Sequence, residues 1–136
     1  MLVADSGVWI DHFRGVDNAP RRVLYNTLVA GETLLLVPDL VLFEVMRGFR
    51  FENEQRRALA VFEQLPGAEL GGHENVLRAA DHYRQLRRLG STVRSGTDML
   101  LASWCITHDH LLLQRDRDFL PYAQHLGLRV WNGAVN

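Results

Sequence analysis

A few acidic residues stand where an acid costs free energy, and their surroundings suggest one chemistry. Asp5 closes the apolar run Met1-Leu2-Val3-Ala4, and Glu44 is flanked by Leu42, Phe43, Val45 and Met46. Asp98 opens a stretch that is apolar on almost every face from Met99 to residue 106, Ser103 excepted. Asp116 follows Leu111-Leu112-Leu113 closely, with Asp118 as a spare two residues on. Burying an unpaired carboxylate costs roughly several kcal/mol, so each of these needs a partner or a purpose. Taken alone, Asp98 reads equally well as a capping residue of its helix. If the acids converge on one pocket they repel, and must protonate or share a cation. Oxygen-only donors select a hard ion, Mg²⁺ or Mn²⁺. Such an ion binds a phosphate oxygen, lowers the pKa of a water and orients in-line attack on phosphorus. No histidine or lysine base is needed for that reaction.

The elements that must position these acids alternate along the chain. Residues 1–5 read as a strand, Ser6-Gly7 as a break, and Val8, Trp9, Ile10 and Phe13 as a helix. A second helix is expected over 21–30, ended by Gly31. The apolar run 33–37 suits a strand covered on both faces, with Asp39 capping a helix over 40–49 that carries Glu44. Further helices are expected over 53–65 and 73–89, the latter with Val76, Ala80, Tyr83, Leu86 and Leu89 on its apolar face. A short strand over 68–70 lies between them. The Asp98 helix, with Thr97 as its cap, runs to about His108. A strand over 111–113, a helix to 125 or 126 and a strand over 128–131 complete the pattern. This alternation predicts one α/β domain spanning 1–136, with a central parallel sheet of four or five short strands flanked by helices. Such sheets bind ligands at the carboxyl ends of their strands, the edge where Asp5 and Asp116 should lie. Asp116, first after its strand, should lie nearer that edge than Asp118, which better suits a cap for the following helix.

Composition narrows the alternatives. The 136 residues are 47% hydrophobic and 23% charged, ordinary for a soluble globular protein. No apolar run approaches a membrane span and the start lacks a signal-peptide pattern, so a cytoplasmic location is expected. The net charge of −1 carries no global nucleic-acid signal. All 15 basic residues are arginine. Biased codon usage explains most of that, but the absence of lysine removes every mechanism that needs one. Cys105 reads as a packed thiol. His108-Asp109-His110 reads as a polar turn; His12, His73, His82 and His125 are scattered and expected to be exposed. Ser6 and Ser103 show no His–Asp company of the kind a hydrolase triad needs.

The segments Asp5-Ser6-Gly7-Val8-Trp9-Ile10, Glu44-Val45-Met46-Arg47-Gly48-Phe49, Thr97-Asp98-Met99-Leu100-Leu101-Ala102 and Leu112-Leu113-Gln114-Arg115-Asp116-Arg117-Asp118-Phe119 occur in a telling order and spacing. Together they resemble the PIN-domain family, most closely the VapC toxins of VapBC toxin–antitoxin modules, over essentially the whole chain. The resemblance implies a metal-dependent endoribonuclease with an acidic quartet on Asp5, Glu44, Asp98 and Asp116. Asp5, Asp98 and Asp116 would be metal ligands. Glu44 would bind metal directly or through water and help deprotonate the nucleophile, leaving a 5′-phosphate and a 3′-hydroxyl. Two positions depart from the pattern: Gly7 stands where Ser or Asn is frequent, and Gln114 where Thr, Ser or His is common. An acidic pocket repels RNA, so backbone contacts must come from arginines on its rim, for which Arg47, Arg94, Arg115 and Arg117 are the candidates. Arg47 reads alternatively as an ion-pair partner of Glu44. The resemblance further implies a homodimer, and a VapB-like antitoxin that sets a basic side chain in the acidic pocket. The competing readings are a catalytically inactive PIN-like RNA- or protein-binding module, and a phosphoaspartyl phosphatase or receiver-like domain. The last two normally use a lysine, which this chain lacks.

Overall fold

The computed structural model describes residues 1–32, 34–93 and 95–131. Thr33, expected to begin the second strand, and Arg94 lie outside them. Five parallel strands, β1 (Leu2–Ala4), β2 (Leu35–Pro38), β3 (Gly67–Ala68), β4 (Leu111–Leu113) and β5 (Arg129–Val130), form one sheet in the order β3-β2-β1-β4-β5. In register, Leu2 lies opposite Leu35 on one side and Leu111 on the other, and Ala4 opposite Leu113. β1 is central and buried along its whole length, which is why it is a continuous apolar run rather than an alternating one. The helices are α1 (Ser6–Arg14), α2 (Ala19–Ala30), α3 (Asp39–Met46), α4 (Glu52–Phe62), α5 (His73–Arg88), α6 (Gly96–His108) and α7 (Leu120–His125), the last preceded by a 3₁₀ turn, Arg117–Phe119.

Strand order reverses direction between β1 and β4, and the crevice at such a switch point is where open α/β sheets hold ligands. Asp5 and the segment carrying Asp116 both leave the sheet there. The backbone N–H of Asp5 donates to the Leu113 carbonyl at 3.0 Å, tying the two strand ends together. Beneath the site, Trp9 is fully buried, its ring 4.7 Å from Phe62 and 5.9 Å from Phe13. Aromatic burial of this kind supplies roughly 1.5–3 kcal/mol per side chain, which anchors α1 to the layer below it.

Several boundaries differ from expectation for local reasons. Ser6 and Gly7 are not a break: the Asp5 side chain caps α1 directly, so both residues join its first turn. Ser95, not Thr97, caps α6, its Oγ accepting from the Asp98 N–H at 3.2 Å. Asp39 lies inside α3, and its Oδ1 accepts from both Leu40 and Leu70 N–H groups, a link from α3 to the segment after β3. The helix carrying Glu44 stops at Met46, and β3 and β5 are two residues each. On α5 the buried positions are Asn75, Ala79 and Leu86, whereas Val76 and Leu89 are exposed. The face is rotated toward Asn75, whose Nδ2 donates to the Leu70 and Leu100 carbonyls, and Ala79 one turn on is buried with it. A buried asparagine making two such bonds overrides the apolar stripe that helical spacing suggests. Among the described residues no helix is long and apolar enough to cross a membrane.

Candidate metal centre and nuclease site

Asp5 is placed by two elements at once. β1 delivers it to the carboxyl edge of the sheet, and α1 starts on its side chain, Oδ1 accepting from the Val8 N–H at 3.0 Å. It is 5% exposed. Burial pushes its pKa up to about 6; the Val8 hydrogen bond and the Arg115 guanidinium pull it down, and the charges of Asp116 and Glu44 push it up again. Asp98 stands in the first turn of α6, at the helix end where backbone N–H groups favour an anion. Its pKa is nevertheless pushed up to about 7, first by burial, then by the charges of Asp5, Asp116, Glu44 and Asp118 in that order. Four acids from three separate parts of the chain thus impose negative potential on one carboxylate.

Asp98, Asp116 and Asp118 form the tightest cluster: one carboxylate oxygen from each lies within 4.8 Å of the others. This corrects the division of labour expected for the last two. Asp116 is the capping residue, its Oδ1 accepting from the Asp118 N–H at 2.9 Å, and it is exposed. Asp118 is the less exposed of the pair and turns into the cluster rather than capping α7. The two carboxylates flank the start of a 3₁₀ turn, Asp116 as its N-cap and Asp118 as its second residue. Glu44 lies on α3 with its side chain 19% exposed, and Arg47 one turn on reaches it at 3.9 Å, a loose rim contact over the Phe43 ring.

Two further side chains bear on the site and were not picked out by sequence. Asp11 on α1 is buried; it accepts from Asn18 Nδ2 at 3.0 Å and pairs with Arg115 Nε at 2.7 Å. The clue was present, since Asp11 sits among Trp9, Ile10 and Phe13 as Glu44 sits among its apolar neighbours. The Tyr122 hydroxyl is fully buried without a hydrogen-bond partner, and its pKa is pushed up to about 12 by burial and by Asp98. Arg115 and Arg117 line an open groove of about 300 Å³ beside Asp116, together with Gln114, Leu120, Val130 and Trp131.

The histidine and serine expectations need correcting. Ser103 does have histidine company: His82 Nδ1 lies 2.8 Å from its Oγ. Ser103 is fully buried between α5 and α6, so the contact is a structural bond and not an accessible nucleophile. His12 and His82 are half-buried and His110 is buried, its ring centroid 4.8 Å from that of Trp104; burial lowers the pKa of all three. The thiol of Cys105 is buried and its pKa pushed up to about 12, as fits a packed cysteine.

A model of the PIN domain matches residues 2–124. The chain belongs to the PIN-domain family. Among curated proteins it is similar to the VapC ribonuclease Mb1587 of Mycobacterium bovis and to ribonuclease VapC11 of Mycobacterium tuberculosis, at 26% identity over 130 residues that cover 96% of this chain and 97% of each relative. Among solved structures it matches a chain of VapBC2 from Rickettsia felis bound to a DNA fragment from their promoter, with a TM-score of 0.72 and 13% identity over 96% of this chain and 98% of that one. DNA-bound VapBC from Salmonella typhimurium gives 0.68 and 15%, over 98% of both chains. These structures share the PIN fold with this chain, in which five parallel strands bring acids from β1, α3, α6 and the turn after β4 to one edge.

Proposed function

We propose that this PIN domain is a divalent-metal-dependent endoribonuclease and the toxin of a toxin–antitoxin pair. The observation that carries it is the Asp98–Asp116–Asp118 cluster at the switch point, with Asp5 and Glu44 close enough to raise the pKa of Asp98. The donor set fits a hard cation: it is carboxylate oxygen throughout, clustered within a single ion's reach, and destabilised without positive charge. Asp98, Asp116 and Asp118 would hold the ion, with Asp5 and Glu44 ligating it directly or through water. Mg²⁺ or Mn²⁺ suits an open, oxygen-only site at a sheet edge. Bound there, a divalent cation would neutralise the phosphate and make water a better nucleophile. Asp5, locked by the α1 N-terminus, keeps its carboxylate in one orientation. Glu44, half-buried on α3, takes the proton of the attacking water. The groove of Arg115, Arg117 and Trp131 offers guanidinium groups to the RNA backbone and an indole face to a base. The departing 3′-oxygen takes its proton from solvent at this open edge, leaving a 5′-phosphate and a 3′-hydroxyl.

The curated relatives are named ribonucleases and the solved neighbours are VapBC complexes, which supports an RNA substrate and an antitoxin partner for this chain as well. An antitoxin arginine or lysine set among these acids would occupy the place of the cation. A second copy of the chain would cover the apolar groove between α5 and α6, where Val76, Tyr83 and Met99 lie. Expression of the chain alone should arrest growth of a sensitive host, and co-expression of a small neighbouring gene should relieve it. Sequencing RNA ends after a brief induction should show new 5′-phosphates at discrete sites. Equal growth of cells making wild type and Asp98→Asn, at equal soluble levels, would overturn the toxin reading.

Asp116 and Asp118 provide a sharper test of the site itself. Asp118→Asn should weaken Mn²⁺ binding, followed by calorimetry, about as much as Asp116→Asn does. Asp116→Ala should in addition lose about 1 kcal/mol of stability with the cap of the 3₁₀ turn. Full metal affinity in Asp118→Asn would return that residue to a purely structural role.

A further inference from the structure

Arg115 does not hang on the rim of the acidic site but is built into it. Its Nε pairs with the buried carboxylate of Asp11 at 2.7 Å, and Asp11 is in turn held by Asn18 at 3.0 Å. The guanidinium lies flat over the first turn of α1: a Cβ added at Gly7 would meet its Cζ, Nε and Nη2 atoms all at 3.2 Å. That is tighter than most such contacts, so a methyl at position 7 would require the guanidinium to give by a few tenths of an ångström, and a longer side chain by more. Three residues distant in sequence therefore fix one planar cation two residues along the helix from Asp5.

We propose that Arg115 is a preorganised phosphate-binding cation of this site, that Asp11 is its positioning residue, and that Gly7 leaves room for it. The inference rests on the nuclease reading and adds residues and roles to it. Asp5, Glu44, Asp98, Asp116 and Asp118 bring as many as five negative charges to one edge, more than a single divalent cation offsets. A scissile phosphate approaching that edge needs fixed positive charge. Arg115 remains about half exposed, its side chain at 49%, and lines the open groove beside Asp116 while holding Asp11. A guanidinium binds two oxygens of one phosphate in a planar fork, and one already held in place loses little entropy on binding. A lysine, being a point charge on a flexible stem, cannot hold Asp11 and a phosphate in that geometry at once.

The test uses the full chain and a fluorescein-labelled, mixed-sequence single-stranded RNA 20-mer, with binding read by anisotropy in Ca²⁺ across a KCl series and cleavage read in Mn²⁺. Arg115→Ala should weaken binding about tenfold and reduce the steepness of log Kd against log salt by about 0.7, the share of one phosphate contact. Arg115→Lys should recover the salt slope but not kcat. Asp11→Asn, which keeps the size of the side chain, should lower kcat, and in the Asp11→Asn/Arg115→Ala double variant it should add nothing to the loss from Arg115→Ala alone. Gly7→Leu, which asks for far more room than a methyl, displaces the guanidinium without touching Asp11. It should reproduce the Asp11→Asn defect, which keeps the inference testable if Asp11→Asn fails to fold. Binding and cleavage by Arg115→Ala within twofold of an active wild type would overturn the inference and leave the nuclease reading standing. So would additive losses in the double variant. A wild type that neither binds nor cleaves RNA, this 20-mer or total cellular RNA, would bring down both.

Discussion

Asp98→Asn is expected to abolish RNA cleavage and, in EDTA, to melt at a higher temperature than wild type. The two effects have one cause. Asp98 carries the most strained charge of the site, its pKa raised to about 7 by burial and by four neighbouring acids. The amide has nearly the shape of the carboxylate and leaves the Ser95 cap of α6 in place, since that bond uses the backbone N–H of residue 98. It removes the repulsion and the cost of burying charge. What it forfeits is the attraction of a carboxylate to the helix N-terminus, roughly 0.3–1 kcal/mol, which is smaller than the penalty a shift of this size represents even after discounting for partial exposure. Removing one ligand charge from a metal-dependent site costs several kcal/mol of transition-state stabilisation, so the turnover loss should be at least about a thousandfold. Thermal melts and gel assays on the same preparations check both halves. A variant that melts lower in EDTA would show that repulsion does not dominate the site, and one that cleaves normally would remove Asp98 from the reaction.

Mn²⁺ affinity is expected to rise about tenfold between pH 6 and pH 8, with close to one proton released per ion near pH 6.5. Binding requires the ionised carboxylates, and Asp98 with a pKa of about 7 is mostly protonated at pH 6. Asp5, at about 6, adds a smaller contribution at the low end. Calorimetry in two buffers of different ionisation enthalpy measures the proton count directly. For stability the sign runs the other way. Both acids have folded pKa values above the ordinary 3.8, so the folded state binds more protons than the unfolded one between about pH 4 and pH 7. Metal-free stability contributed by these groups therefore falls as pH rises through that window and stays low above it. His12, His82 and His110, with lowered pKa values, act oppositely and are still titrating in the unfolded chain near pH 6.5, so the clean quantity is the difference between wild type and Asp98→Asn, which share those histidines. In EDTA, the melting temperature of wild type relative to that of Asp98→Asn should fall by roughly two degrees between pH 6.5 and 8. A metal affinity independent of pH would show that Asp98 is ionised throughout and that its neighbours do not act on it.

The parts of this protein that the sequence by itself determined are those governed by local physics. Short apolar runs ending at residues 4, 37 and 113, each bounded by polar or turn-forming residues and too short for a helix, read as strands buried on both faces, and the structure has strands there. Helical spacing between the strands then required a parallel sheet, and its carboxyl edge put Asp5 and Asp116 on one side of the molecule. The acids on α3 and α6 stood out because apolar neighbours left them no ordinary reason to be charged. Tertiary structure alone decided the rest. Helical spacing on α5 pointed to Val76 and Leu89, but Asn75 satisfied two carbonyls of neighbouring segments and turned the helix. The spacing of Asp116 and Asp118 assigned the cap to the second, whereas a 3₁₀ turn gave it to the first and sent Asp118 to Asp98. Gly7 read as a missing side chain; in the fold it is the space that Arg115, more than a hundred residues later, occupies under the hold of Asp11. Propensity and periodicity report interactions within a few residues, while a carboxylate's pKa or a guanidinium's resting place depends on charges and atoms brought together only when the sheet closes.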